Sequence, residues 1–261
     1  MSATRFIVVE GVIAAGKSAL VEAVAERLTQ RGIPAHAVGE PVAEWEAGGL
    51  LADFYHDPVD AGLAFQLFAA ATRARAVATA AVTHPGEVLV LERSAASDRL
   101  FFDLLRRDLP PHAGAAYDAA APLLTAGAFS IGGLPPDDIM AWHLAPTVYL
   151  RVAPDVAARR GAARGRPAER MVGPDEHDSA AGGVSPAYLE RLARAHDALL
   201  LGDDPRAEFP AQVAAWHAAR QRGSAPAAVV PDRLALGDFR AGDSRTQVAD
   251  WVIDAVLQYG F

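Results

Sequence analysis

Residues 5–18 read RFIVVEGVIAAGKS. The first six form a short β-branched apolar run, the pattern of a strand buried on both faces. Gly11 ends the run. A helical pattern then extends from Lys17 to about Arg31, where Gly32 and Pro34 close it. Between strand and helix, Gly11, Gly16, Lys17 and Ser18 satisfy G-x-x-x-x-G-K-[ST], in the strand–turn–helix setting that this motif requires. The glycines let backbone N–H groups curl around a phosphate, and the helix N-terminus adds a favourable dipole. Ala14, Ala15 and Ala19 complete the phosphate-binding stretch, with Ala14 standing where many such loops carry another glycine. Lys17 is the single lysine among the 24 Lys and Arg residues of the chain. A compact ammonium fits inside a curl of backbone amides, whereas a planar guanidinium is too broad. In a chain that uses arginine everywhere else, the exception marks a phosphate site. Ser18 offers a hydroxyl to Mg²⁺.

Outward from this motif, apolar runs alternate with helical patterns. AHAVG at 35–39, EVLVLE at 87–92, TVYLRV at 147–152 and RLALG at 233–237 read as strands. Helical patterns cover Gly62–His84, Asp98–Asp108, a stretch from Pro154 into RRGAARGR, YLERLARAHDALLL at 188–201 and TQVADWVIDAVLQY at 246–259. Residues 109–146 read as mixed, with turns at Gly132-Gly133 and Pro135-Pro136. Residues 171–186 read as a mobile loop, and 206–223 as a short helix inside an insertion. Alternating strands and helices imply an α/β fold, a parallel sheet with helices on both faces. With no internal repeat and no linker, residues 1–261 are expected to form one domain.

The 261 residues carry a net charge of −8 and no cysteine. Disulfides, thiol catalysis and a cysteine zinc site are excluded. The acidic balance disfavours a nucleic acid polymer as partner, because such binding needs many exposed cations. Apolar runs are interrupted well before membrane-spanning length, and no targeting segment precedes the first strand. No membrane association is expected, and a soluble, cytoplasmic protein is. His36, His84, His143 and His196 show no metal-ligand spacing and are given no role.

The strand ends carry the chemistry, since α/β ligands gather at the C-terminal edge of the sheet. The second strand runs into EPVAEW at 40–45 and the third into ERSAASD at 92–98. In chain order, EGVIAAGKS, EPVAEW, FQLFAAATRAR, ERSAASDRLFF, YLRVAPDVAARRGAARGR and SPAYLERLARAH resemble the cellular-type deoxynucleoside kinases, the family of deoxycytidine and deoxyguanosine kinase. The resemblance runs from residue 5 to about 200. It implies a P-loop kinase fold with an arginine-rich lid at about 160–186, and transfer of the ATP γ-phosphoryl group to a deoxynucleoside 5′-hydroxyl with Mg²⁺. By the same resemblance Glu40 takes the hydroxyl proton and Arg93 holds it ionised. Glu92 and Ser18 serve the Mg²⁺ shell, and Arg160, Arg164 and Arg166 clamp phosphate. Phe65 and Phe102 would wall the base and Gln66 read it. Trp45 would line the sugar side, and Tyr55 and Glu169 would hold the 3′-hydroxyl.

Arg73 lies seven residues after Gln66, about two helical turns, so the two share a helix face. With Asp98 it resembles the pair that favours deoxycytidine and purine deoxynucleosides over thymidine. The plain alternative is a structural ion pair away from the base. Partners implied are ATP, a deoxynucleoside and a second copy in a homodimer, the last also from apolar stripes at 62–84 and 98–108. Two other readings are a non-catalytic relative serving as a binding or assembly subunit, and a nucleoside monophosphate kinase. The first predicts loss of Lys17, Glu40 or Arg93, and none is lost. The second needs a further cationic site for an acceptor phosphate, and none can be placed.

Overall fold

The computed structural model describes residues 4–134, 136–143, 145–166, 184–201, 228–230 and 242–257. β1 (Arg5–Gly11) is the middle strand of a five-stranded, all-parallel sheet. The others are β2 (Ala35–Val38), β3 (Val88–Glu92), β4 (Thr147–Leu150) and β5 (Ala228–Val230), in the order β2-β3-β1-β4-β5. Alternation along the strands splits the core in two, as the period of two demands. Ile7, Val9, Val88 and Val90 pack on one side with α1 (Lys17–Gln30), α9 (Pro186–Leu201) and α10 (Gly242–Leu257). Phe6, Val8, Leu89 and Leu91 pack on the other with α4 (Pro58–Thr83), α6 (Pro111–Ile131) and α7 (Pro136–His143). This is the expected α/β fold with both faces covered.

The chain leaves β1 for β2 on one side of the sheet and β3 for β4 on the other. That reversal opens a crevice at the C-terminal ends of β1 and β3. A third apolar cluster stands at this end. Trp45 from α2 (Val42–Ala47) and Leu51 and Phe54 from α3 (Leu50–His56) meet Phe65 and Ala69 of α4, Phe102 and Leu105 of α5 (Ala95–Leu105) and Tyr117 of α6.

Some expectations shift. Residues 111–131 are one helix, where a mixed region was expected. Pro110 and Pro111 sit at its start, where a missing N–H costs nothing, and alanine supplies most of its length. The fourth helix starts earlier than read, at Pro58, with the Asp57 side chain accepting from Val59 N and Asp60 N. The last described strand is Ala228–Val230. RLALG, the loop at 171–183 and the 206–223 helix lie outside the described residues. α8 (Pro154–Arg164) ends at Gly165 with φ 64, the left-handed cap glycine suits.

Candidate active site

The phosphate loop follows β1. Gly11 has φ 151, and a Cβ there would meet the Leu150 carbonyl oxygen at 2.7 Å, so β4 passes too close for any side chain. Gly16, with φ 103, turns the chain into α1. Ala14 takes φ 61, a left-handed conformation that costs an alanine about 1 kcal/mol. Lys17 is 4% exposed; its ammonium donates to the Val12 carbonyl at 3.1 Å and lies 3.5 Å from Glu92. Burial and the nearby Arg93 lower its pKa to about 8 against the pull of Glu92, Glu40 and Glu10. Ser18 Oγ donates to Glu92 Oε2 at 2.8 Å. Arg160 reaches over from α8 and donates to the Ala15 carbonyl at 3.1 Å. Ala15 is buried, and Ala19 packs against the core on α1.

The strand-end groups converge here. Arg93 Nε meets Glu40 Oε1 at 3.1 Å, and Arg73 Nη1 meets the same oxygen at 3.1 Å. Burial alone would raise the Glu40 carboxyl. Arg93, Arg73 and Lys17 outweigh it and hold the pKa down at about 2. Arg73 also grips Asp98, with Nη2 at 3.0 Å and Nε at 3.1 Å. Asp98 goes the other way: burial, aided by the like charges of Glu40 and Glu10, lifts it to about 6 despite Arg73. Two carboxyls on one guanidinium thus have well-separated pKa values, a pattern typical of functional sites.

These groups line a cavity of about 210 Å³ with Trp45, Tyr55, Phe65 and Gln66, and with Arg164 and Arg166. Arg73 and Asp98 therefore stand in the pocket wall and are not a remote structural pair. Trp45 is fixed by Nε1–H donating to Thr72 Oγ1 at 2.8 Å, and its ring meets Phe65 edge-on at 5.7 Å. Phe102, expected as the opposite wall, does not line the cavity. It is fully buried and stacks on Tyr117 at 3.8 Å, one helix position past the wall, where Phe101 stands instead. Glu169 lies outside the described residues.

Sequence reading missed Ile13, Val42, Leu51, Phe54, Phe101 and Tyr188 of the lining, and the buried Glu10 and His196 behind it. Ile13, Phe54 and Phe101 sit directly beside Ala14, Tyr55 and Phe102, residues already singled out. His36, His84 and Glu87, given no metal role, do bring one ligand atom each within 4.8 Å of one another. The two imidazoles stack at 3.6 Å with planes 14° apart, so their in-plane lone pairs lie in separate, nearly parallel planes, a poor arrangement for sharing one ion.

A phosphate loop, a strand-end carboxylate held by two arginines and an adjoining aromatic pocket define a nucleotide-binding phosphotransferase cleft. A family model described as deoxynucleoside kinase matches residues 7–210, and the chain belongs to that family. A comparison with curated proteins gives no match. The family makes the protein a kinase, and among the described residues no helix is long and apolar enough to cross a membrane.

Proposed function

We propose that the protein transfers the γ-phosphoryl group of ATP to the 5′-hydroxyl of a deoxynucleoside, with deoxycytidine and purine deoxynucleosides preferred over thymidine. The observation that carries this reading is the Glu40 carboxylate, held 3.1 Å from both Arg93 and Arg73 in the cavity that also contains Lys17. ATP phosphates lie in the loop of Gly11–Ser18, with Lys17 as point charge and Arg160, Arg164 and Arg166 closing from α8 and beyond. Glu40 accepts the hydroxyl proton, the 5′ oxygen attacks the γ-phosphorus in line, and ADP leaves. Positioning and charge neutralisation do most of this work.

Ser18 and Glu92 fit Mg²⁺, since a hydroxyl at the start of α1 and a carboxylate oxygen at the end of β3, 2.8 Å apart, are the hard donors it takes. When bound, Mg²⁺ neutralises charge across the β- and γ-phosphates. Tyr55 and Glu169 are assigned to the 3′-hydroxyl, and Phe65, Gln66, Trp45 and Phe101 to the base and sugar.

Arg73 and Asp98 carry the base preference. An ionised Asp98 accepts from the exocyclic amino group of cytosine or adenine, and Arg73 donates to a purine N7 or O6. Thymine presents O4, an acceptor, so a facing carboxylate is a mismatch costing about 1–3 kcal/mol. ATP-dependent transfer to the four deoxynucleosides, followed as nucleoside 5′-monophosphate formed, tests both parts. Deoxycytidine or a purine deoxynucleoside should give the highest kcat/KM. Thymidine highest would refute the pocket reading, and no transfer to any of the four would refute the reaction. We also propose a homodimer, supported by an exposed apolar stripe on α6, where Leu123 is 73% and Ile131 91% exposed. The stripe expected on residues 98–108 does not serve, because Leu100, Phe102, Leu104 and Leu105 are buried within the protomer.

A further inference from the structure

Behind the cavity lies a buried polar cluster that the steps above do not use. Glu10, at the end of β1, is 1% exposed, and His196 of α9 is fully buried. Glu10 Oε1 accepts three hydrogen bonds, from Ser94 N at 2.9 Å, Ser94 Oγ at 2.7 Å and Ser97 Oγ at 3.0 Å. Ser94 is the N-cap of α5, so these bonds fix the first turn of that helix to the sheet. Arg93 precedes the cap with φ 71. A non-glycine residue keeps that conformation only where its surroundings over-determine it.

The other oxygen, Glu10 Oε2, has no hydrogen-bond partner among the described residues and lies 3.9 Å from Arg93 Nη1. A buried carboxylate oxygen in this position is compensated by the facing positive charge. His196 Nδ1 lies 2.8 Å from the Leu192 carbonyl, which only accepts, so the hydrogen-bond network assigns the proton to Nδ1. His196 Nε2 then presents a lone pair to Arg93 Nη1 at 3.5 Å. The Phe101 ring covers the guanidinium at 4.6 Å. Arg93 is thus held from behind by a carboxylate and an imidazole and covered by an aromatic face of the wall, leaving Nε to meet Glu40.

We propose that Glu10 and His196 are positioning residues for the phosphoryl transfer, setting the Arg93 guanidinium against Glu40 from outside the cleft. The proposal rests on the transfer reading above. Neither residue lines the cavity, so neither has a contact through which to change substrate affinity directly. Their effect is expected in kcat.

The experiment compares wild type with His196→Phe, His196→Gln and Glu10→Gln, each checked for its melting temperature. His196→Phe keeps a ring against Tyr149 and Phe101 but removes the acceptor. It should lower kcat about 10- to 100-fold, the size of effect a misplaced reacting group produces, with KM for ATP within about twofold. His196→Gln restores an acceptor near Nε2 and should recover most of the loss, which a purely structural role would not explain. Glu10→Gln turns a donor toward Arg93 and should mimic His196→Phe. A folded His196→Phe with kcat within about twofold of wild type overturns the proposal. A crystal structure of His196→Phe gives a reading that does not depend on activity. Arg93 displaced from Glu40 supports the positioning role even if wild type transfers no phosphoryl group, and Arg93 unmoved refutes it.

Discussion

At the scale of single residues, the cleft is a problem of placing charges where water does not screen them. Lys17 is the sharpest case, because its ammonium is 4% exposed and must serve a loop of backbone amides. Lys17→Arg conserves the charge but not the width. It should cost about 10²- to 10³-fold in kcat, the scale of losing one well-placed donor at a transition state. Near-normal turnover by that variant would make the lone lysine an accident of composition. Asp98 sets a pH dependence. Burial lifts its pKa to about 6, so it is ionised above that value and protonated below it. Protonation removes the acceptor assigned to the cytosine amino group. KM for deoxycytidine should therefore rise as pH falls through about 6, and Asp98→Asn should abolish that rise. A KM flat from neutral pH down to about one unit below that pKa would remove Asp98 from base recognition.

At the scale of elements, helices differ in how completely their apolar faces are used. α1 and α10 bury theirs against the sheet and join across their surfaces through Arg27 and Arg31 to Asp250 and Asp254. Those ion pairs are solvent-facing and worth little each. α6 is different, because Leu123, Leu124 and Ile131 remain exposed while Tyr117 and Phe129 are buried. An apolar stripe of this kind on one helix favours association. Sedimentation should give a dimer at micromolar concentration, and Leu124→Glu with Ile131→Glu should shift it to monomer without loss of fold. A wild-type monomer under the same conditions would contradict the homodimer.

At the scale of the whole molecule, what could be read in advance was what is local. The phosphate loop, Glu40, Glu92 and Arg93 were legible because strand, turn and helix start are adjacent in the chain. α6 was not, because Pro122 and an alanine-rich composition blur the helical period. β5 has three residues, too few for any pattern. Glu10, Phe101, Tyr188 and His196 were missed because β1, α5 and α9 bring them together from distant positions in the sequence. The resemblance placed Phe102 in the wall, but its neighbour Phe101 faces the cavity while Phe102 is buried against Tyr117. The proposed transfer needs Glu40 as the base that takes the hydroxyl proton, in a cleft that holds ATP independently of it. Its most direct test is Glu40→Gln, measured for phosphoryl transfer and, separately, for ATP affinity. The amide keeps size and hydrogen bonding but cannot take the proton. Turnover should fall about 10²- to 10⁴-fold with ATP affinity retained, and a variant keeping more than about a tenth of the wild-type rate would contradict the account.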